Sequence, residues 1–269
     1  MDLYINGKRR TTKDSSLHSL KAKLYPKNPS IITIYNGFQT ENDAELSENE
    51  HISFIEKGVM PSEDELEALM VARHTPYVHE KVKNARVGIA GLGGLGSNIA
   101  VALARTGVGH LHLVDFDIVE PSNLNRQAYK ISHLGMKKTE ALQAELKDIN
   151  PYIKISIDDI KITEENAAYI FENDPIVCEA FDRPEYKAIL VNTLLEQKTG
   201  IKLVAASGLA GFESSNSIKT KKVFKNFYLC GDETSSAQPG RGLMAPRVSI
   251  CAGHQSNMIL RLILGIEEV

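Results

Sequence analysis

The sequence predicts an α/β protein: a Rossmann-like, mostly parallel sheet with antiparallel C-terminal strands, preceded by a small α+β unit. Three observations predict it. First, "VGIAGLGGLGSNIAVALARTGVGHLHLVDFD", Val87 to Asp117, sets G-x-G-x-x-G at Gly91, Gly93 and Gly96 between an apolar run and a helical one, with Asp115 19 residues after Gly96. Second, from Arg86 onward apolar runs alternate with helical periodicity, as in parallel strands joined by helices. Third, residues 1–59 follow another order, β-β-α-β-β.

The elements follow in order. "DLYING" and "KRRTT" are strands around an Asn6-Gly7 turn, a strong hairpin signal. "DSSLHSLKAKLY" carries Leu17, Leu20 and Leu24 at helical steps, with Asp14 or Ser15 able to cap it and Pro26 and Pro29 ending it. "SIITIYNG" is a strand closed by Asn36-Gly37. A polar loop leads to "HISFIEKG", with Ile52 and Phe54 in alternation. Ser62 and Glu65 then form a capping-box pattern for a helix with an apolar face of Leu66, Leu69 and Met70. Pro76 interrupts, and a short helix follows at Tyr77 to Lys83.

In the α/β region, "RVGIAG" is a buried strand and "GSNIAVALARTGVG" a helix with Gly107 near its end. "HLHLVDFD" suits a parallel sheet. A helix stopped by Asn150-Pro151, an alternating strand "IKISIDDI" and a helix "ITEENAAYIFEN" capped at Thr163 come next. "PIVCEAFD", the helix "PEYKAILVNTLLEQKTG" and the strand "IKLVAASGLAG" complete the parallel pattern. "SIKTKKVFKNFYLC" reads as antiparallel strands, and "APRVSICAGHQSNMILRLILG" as a closing helix.

Composition excludes several classes. The net charge of −3 gives no field for nucleic acid, and "KTKKVFK" (Lys219 to Lys225) fits an edge strand or a face for an acidic carrier better. Apolar runs are too interrupted to span a bilayer, and the charged N-terminus is no signal peptide. The three cysteines, Cys178, Cys230 and Cys251, form no C-x-x-C pair; no tetrathiolate zinc site is expected, and the thiols fit a reduced, cytoplasmic setting.

The loop states a chemistry before any family is considered. Gly91 permits the turn off the strand, Gly93 lets backbone approach phosphate oxygens, and Gly96 lets the helix pack on the strand. The helix N-terminus offers N–H groups to an anion, and Asp115 can accept ribose hydroxyls. NAD and ATP both fit so far. The next residues, "FDIVEPSNLNRQAYKISHLGMKK", favour ATP. Splitting it between the α and β phosphates needs fixed cations and amides, and Arg126, Lys138, Asn123 and Gln127 are of those kinds.

"GLGGLGS", "VDFDIVEPSNLNRQ" and "GMKKTEAL" closely resemble the adenylating-enzyme family that includes ThiF, MoeB and the ubiquitin-activating enzymes. The resemblance runs from Arg86 to the C-terminus. It implies a domain at 85–269 that uses ATP and Mg2+ to adenylate the C-terminal glycine carboxylate of a carrier protein. Gly91, Gly93, Gly94, Gly96, Asp115, Asp117, Asn123 and Gln127 would hold the nucleotide. Arg126 and Lys138 would act on the phosphates, Lys138 rather than Lys137 by alignment with G-x-x-K, and Asp182 in "CEAFDRPEYK" would hold the magnesium ion. Lys187 stands where the family often has a basic residue. Arg73 stands where the family often has an arginine that reaches a partner subunit's ATP in a homodimer; an exposed helix-end arginine is the other reading. Some ThiF relatives pass sulfur through a loop cysteine. Cys230 is in that general region, although an ordinary buried residue is the better reading.

Residues 1–59 look like the β-grasp fold of the sulfur carrier ThiS, joined by a helical linker at 60–84. A working carrier ends in a free Gly-Gly carboxylate, whereas "IEKGVMPSEDE" runs on into a helix. The unit is therefore expected as a structural addition or docking module rather than a substrate. The favoured reading is adenylylation of a ThiS-like carrier for thiamine thiazole synthesis. The alternatives are another carrier or a modified tRNA base, an NAD-dependent oxidoreductase, or a scaffold without catalysis.

Overall fold

The computed structural model describes residues 1–26, 30–198 and 200–269. Pro29 and Thr199, placed above at two helix ends, lie outside the described residues. The chain divides into two compact units, Met1–Glu80 and Lys81–Val269.

In the first unit, β1 (Asp2–Ile5) turns into β2 (Lys8–Thr11) through Asn6 and Gly7, at φ 46° and 72°. Left-handed residues at both positions match the twist of the flanking strands. The same device at Asn36 and Gly37, φ 50° and 84°, turns β3 (Ile31–Tyr35) into β4 (Phe38–Gln39). β4 has no counterpart in the sequence reading, because two residues are too few for an alternation. With β5 (His51–Glu56) the sheet runs β2-β1-β5-β3-β4, parallel only between β1 and β5. On one face Leu3, Ile5, Ile31, Ile52 and Phe54 pack with Leu17 and Leu20 of α1 (Leu17–Leu24). Ser16 caps α1 by accepting from Ser19 N at 3.3 Å. Asp14, one of the two expected caps, instead accepts from Thr12 and pairs with Lys23 at 3.0 Å.

Ser62 and Glu65 form the expected capping box of α2 (Glu63–His74). Leu66, Leu69 and Met70 are half-buried, and the helix packs against β3, β4 and β5. Asn6 Nδ2 donates to both Phe54 O and Glu65 Oε1 at 3.0 Å. α2 is thus integral to the first unit, and the division falls inside α3 (Pro76–Lys83).

The second unit has a seven-stranded sheet. Its strands are β6 (Arg86–Ala90), β7 (His110–Asp115), β8 (Lys154–Asp159), β9 (Ile176–Glu179), β10 (Lys202–Ala206), β11 (Lys219–Phe224) and β12 (Phe227–Gly231), in the order β11-β12-β10-β9-β6-β7-β8. The β11–β12 hairpin is antiparallel, but β12 lies parallel to β10, so six strands share one direction. β11 forms the edge, and its lysines are solvated: Lys221 pairs with Glu233 and Lys222 with Glu267. Such an edge discourages further strand pairing. α4 (Gly94–Thr106), α5 (Lys138–Ile149) and α8 (Ala245–Leu264) form one layer, with Gly107 closing α4 at φ 80°. α6 (Ala167–Ile170) and α7 (Pro184–Gln197) pack elsewhere, around Phe171, Val177, Leu190, Leu194 and Leu203.

α6 is one turn rather than the expected longer helix, with Asn166 and not Thr163 at its cap. Asn166 Oδ1 accepts from Thr163 N at 2.8 Å and its Nδ2 donates to Lys161 O at 2.9 Å, so the side chain competes with helical hydrogen bonding. β8 is half-buried to exposed, because it is the other edge of the sheet. The strand order reverses at β6. Its neighbours β7 and β9 lead to opposite sides, and in open parallel sheets such a switch point, at the carboxyl ends, is where ligands bind.

Candidate active site

The crevice is built first by close packing. A Cβ on Gly96 would lie 1.8 Å from Gly91 O, so α4 can meet the strand end only with glycine there. Gly91 takes φ +88°. Gly93 differs, since a Cβ there would meet nothing nearer than Gln127 Nε2 at 3.8 Å. Packing within the unit does not demand that glycine; a ligand approaching the backbone would.

Asp115 ends β7 and is buried. Its Oδ2 accepts from Leu92 N at 2.6 Å and its Oδ1 from Asp117 N at 2.8 Å. Burial pushes its carboxyl upward against the nearby Lys138 charge. Lys138 opens α5 at 6% exposure, with Nζ 3.0 Å from Asp117 Oδ2. A buried ammonium at a helix N-terminus opposes the helix dipole and needs an anion. Asp117 supplies one, with its carboxylate half exposed. Lys137 points away and pairs with Asp159.

The polar segment after β7 is tied to the loop. Asn98 Nδ2 donates to Gly94 O at 2.7 Å and Arg126 O at 2.9 Å, Ser97 Oγ donates to Gly93 O at 2.7 Å, and Tyr129 Oη donates to Leu92 O at 2.8 Å. Asn123 is buried and its Oδ1 accepts from Glu120 N at 3.0 Å. Gln127 is buried beside Gly93, and its Oε1 has no partner among the described residues. Arg126 is half-buried, with one guanidinium nitrogen held by Asn125 Oδ1 at 2.8 Å and Ser122 O at 3.2 Å. Asp182 follows β9 and is exposed, without a hydrogen bond or ion pair among the described residues. The structure thus joins Asp115, Asp117 and Lys138 directly, and joins Asn123, Arg126 and Gln127 to the glycine loop. Arg73 is exposed in the last turn of α2, in the first unit.

Sequence reasoning passed over several groups here. Glu179, fully buried, accepts from Phe181 N at 2.7 Å and from Lys187 Nζ at 2.9 and 3.0 Å. It fixes the turn that presents Asp182, and burial raises its carboxyl even against Lys187. A charge inside the apolar run "PIVCEAF" was the available signal. Phe116, Phe181, Tyr186 and Lys161 form an aromatic and cationic group: Lys161 Nζ lies 5.1 Å from the Tyr186 ring centre and 6.0 Å from that of Phe116, and the Phe181 and Tyr186 rings are 6.3 Å apart. A base could stack there. Their spread over the segments after β7, β8 and β9 leaves no local motif. The loops after β10 and β12 border a cleft of about 470 Å³, where Glu213 and Asp232 mix with Lys219 and Lys221. All three cysteines are fully buried, with the Cys230 thiol pushed up by burial to about 11 and Cys251 to about 12.

The description of the ThiF family matches residues 67–269, and that of the ThiS-like ubiquitin family residues 1–58. The chain belongs to the ThiF family. Among curated ThiF-type relatives, the Adenylyltransferase and sulfurtransferase UBA4 of Candida glabrata is 32% identical over 194 residues, 69% of this chain and 44% of that protein. The Molybdopterin-synthase adenylyltransferase of Haemophilus influenzae is 39% identical over 132 residues, 49% of this chain and 53% of that protein. The chain therefore spans about half or less of the length of these relatives. The fold is shared with the E. coli tRNA N6-threonylcarbamoyladenosine dehydratase TcdA in complex with ATP, at TM-score 0.69 and 22% identity over 77% of this chain and 98% of that one. It is also shared with E. coli MccB with ATP, at TM-score 0.57 and 22% identity over 75% and 64%. Among the described residues no helix is long and apolar enough to cross a membrane.

Proposed function

We propose that this ThiF-family chain adenylates the C-terminal glycine carboxylate of a ThiS-like sulfur carrier for thiamine thiazole synthesis. The buried Lys138 carries the reading. Its ammonium stands beside Asp115 and Asp117 at the mouth of the glycine loop, where a nucleotide phosphate would meet it. The names of the UBA4 and molybdopterin-synthase relatives, and the ATP in the TcdA and MccB structures, support adenylyl transfer.

ATP would lie with its ribose near Asp115, its phosphates along Gly91–Gly96, and its base among Phe116, Phe181 and Tyr186. The space at Gly93 fits such a ligand, and the Gln127 amide beside it would donate to a phosphate through Nε2. Mg2+ would be held at Asp182, where it supplies charge neutralisation. The carrier's carboxylate oxygen bonds to the α-phosphorus, the bond to the β-phosphate bridging oxygen breaks, and pyrophosphate leaves. No general base is required, because the carboxylate is already ionised. Arg126 and Lys138 hold charge fixed where it grows on the phosphates. We further propose a homodimer in which Arg73 completes the partner's site.

The relatives' names favour a second carrier, one of molybdopterin type, and the assay distinguishes the two. Pyrophosphate–ATP exchange is measured with ThiS-like and molybdopterin-type carriers ending in Gly-Gly. Exchange with the ThiS-like carrier is expected. Exchange only with the other would move the substrate, and exchange with neither would refute the adenylylation.

A further inference from the structure

Arg247 is 3% exposed in the first turn of α8. A cation there opposes the helix dipole, so partners must hold it. They come from two loops distant in sequence. After β10, Glu213 O and Ser214 O accept from Nη1 at 2.9 and 3.0 Å, and Ser217 Oγ accepts from Nη2 at 3.0 Å. After β12, Asp232 Oδ2 meets Nη2 directly. Asp232 is itself anchored, its Oδ1 accepting from Thr234 N at 2.9 Å and Ser235 N at 2.8 Å. Burial opposes its charge, but the hydrogen bonds of Ser235 and Thr234 and the Arg247 guanidinium hold its carboxyl well below the usual range. Glu233, next in the loop, sits at φ +63°, an uncommon conformation for a residue with a side chain.

This junction fixes where α8 starts, and that start touches the glycine loop. A Cβ on Gly94 would lie 3.2 Å from Val248 Cγ1, the residue after Arg247, and 3.4 Å from Arg126 Cγ. Just before the helix, Leu243 O accepts from Asn125 Nδ2 at 3.2 Å, and Asn125 Oδ1 in turn holds the Arg126 guanidinium at 2.8 Å. Asn125 is exposed, and among the described residues these two hydrogen bonds are the ones its side chain makes.

We propose that Arg247 is a positioning residue for Arg126: by locking the loops after β10 and β12 to the start of α8, it sets Leu243, which orients Asn125 and through it the guanidinium. The inference rests on the proposed adenylyl transfer, in which Arg126 meets the phosphates. Charge alone does not suffice for the role, since the fork of a guanidinium bridges two loops and an ammonium cannot.

The test is pyrophosphate–ATP exchange driven by a ThiS-like carrier, with Arg247→Lys, Asp232→Asn, Asn125→Ala and Arg126→Ala measured alone and combined. Arg247→Lys and Asn125→Ala should each lower kcat by about ten- to a hundredfold, the cost of a slightly misplaced group. In the Arg126→Ala background neither should lower it further, because residues acting through one group do not add. A merely structural Arg247 would lower the melting temperature while its kcat loss, if any, multiplied with that of Arg126→Ala. That independence, or an Asn125→Ala variant with unchanged kcat, overturns the proposal. If Arg247→Lys fails to fold, Asn125→Ala still decides it, since Arg247 and its partners remain intact. No exchange by the unsubstituted chain would sink the adenylylation itself, and the inference with it.

Discussion

The two units place their polar groups in opposite ways. Among the described residues of the first, the buried polar groups include no carboxylate, lysine or arginine, and Leu3, Leu17, Leu20, Ile52 and Phe54 make an apolar core. Its ion pairs, such as Arg9–Asp2 and Lys23–Asp14, are largely exposed. In the second, Asp115, Lys138, Glu179 and Arg247 are all 8% exposed or less, and all lie at or beyond carboxyl ends of strands or at helix starts. Buried charges are expensive and give stability only when fully partnered. Four of these charges gather at one end of the sheet, while a fifth, Asp174, is buried before β9 at the other end against Arg86 and His112. The contrast accords with the proposal that the second unit carries the chemistry.

Substitutions can break that contrast. Glu179→Ala leaves Lys187 without its carboxylate, and the second unit should lose about 3–5 kcal/mol. Phe54→Ala should cost the first unit a similar ~3–5 kcal/mol through its cavity, yet leave the kcat of pyrophosphate exchange unchanged below its melting transition. Denaturant unfolding with an exchange assay checks both; a large kcat loss in Phe54→Ala would erase the contrast. Lys138→Ala should reduce exchange by roughly 10²–10³-fold if its ammonium stabilises charge on the phosphates. Ser62→Ala, which removes one half of the α2 capping box, should cost only about 1 kcal/mol, read from the thermal midpoint.

The smallest effect concerns a buried charge-paired histidine below the site. His112 Nδ1 lies 2.6 Å from Asp174 and its Nε2 2.8 Å from Asp158. Burial pulls the imidazole down, but the hydrogen bond and charge of Asp174, with Asp158, outweigh it and raise the pKa. A raised folded value stabilises fully below the unfolded value near 6.5, and the gain is lost as pH rises through the raised one. The melting advantage over His112→Asn should therefore be larger near pH 6 than near pH 8.5. Equal advantage at both would remove the charged pair from the account.

Legibility followed locality. The glycine loop, the Ser62 box and Gly107 could be read because each rests on neighbours within a few residues, and Asp115 because its spacing from the loop marks the end of the next strand. Lys138 turns toward Asp117 and Lys137 toward Asp159, a difference in direction that two adjacent lysines do not disclose by themselves. Glu179 was only half legible: Phe181 and Lys187 are near in sequence, but Ala206 and the burial of the carboxylate come only once β9 and β10 pair. Arg247 was invisible for the same reason: its acceptors are 15 to 34 residues away along the chain. Asn166 misled in the opposite direction, because its competing side-chain bonds leave the helical periodicity intact.

The burial of all three cysteines makes the native chain a blank canvas for probes. A thiol reagent should leave the folded protein unmarked, so a single cysteine introduced on β11 or in the ThiS-like unit would carry a dye or cross-linker without first removing the others. Distances between the two units, and between either unit and a carrier, could then be followed in solution on an otherwise wild-type background.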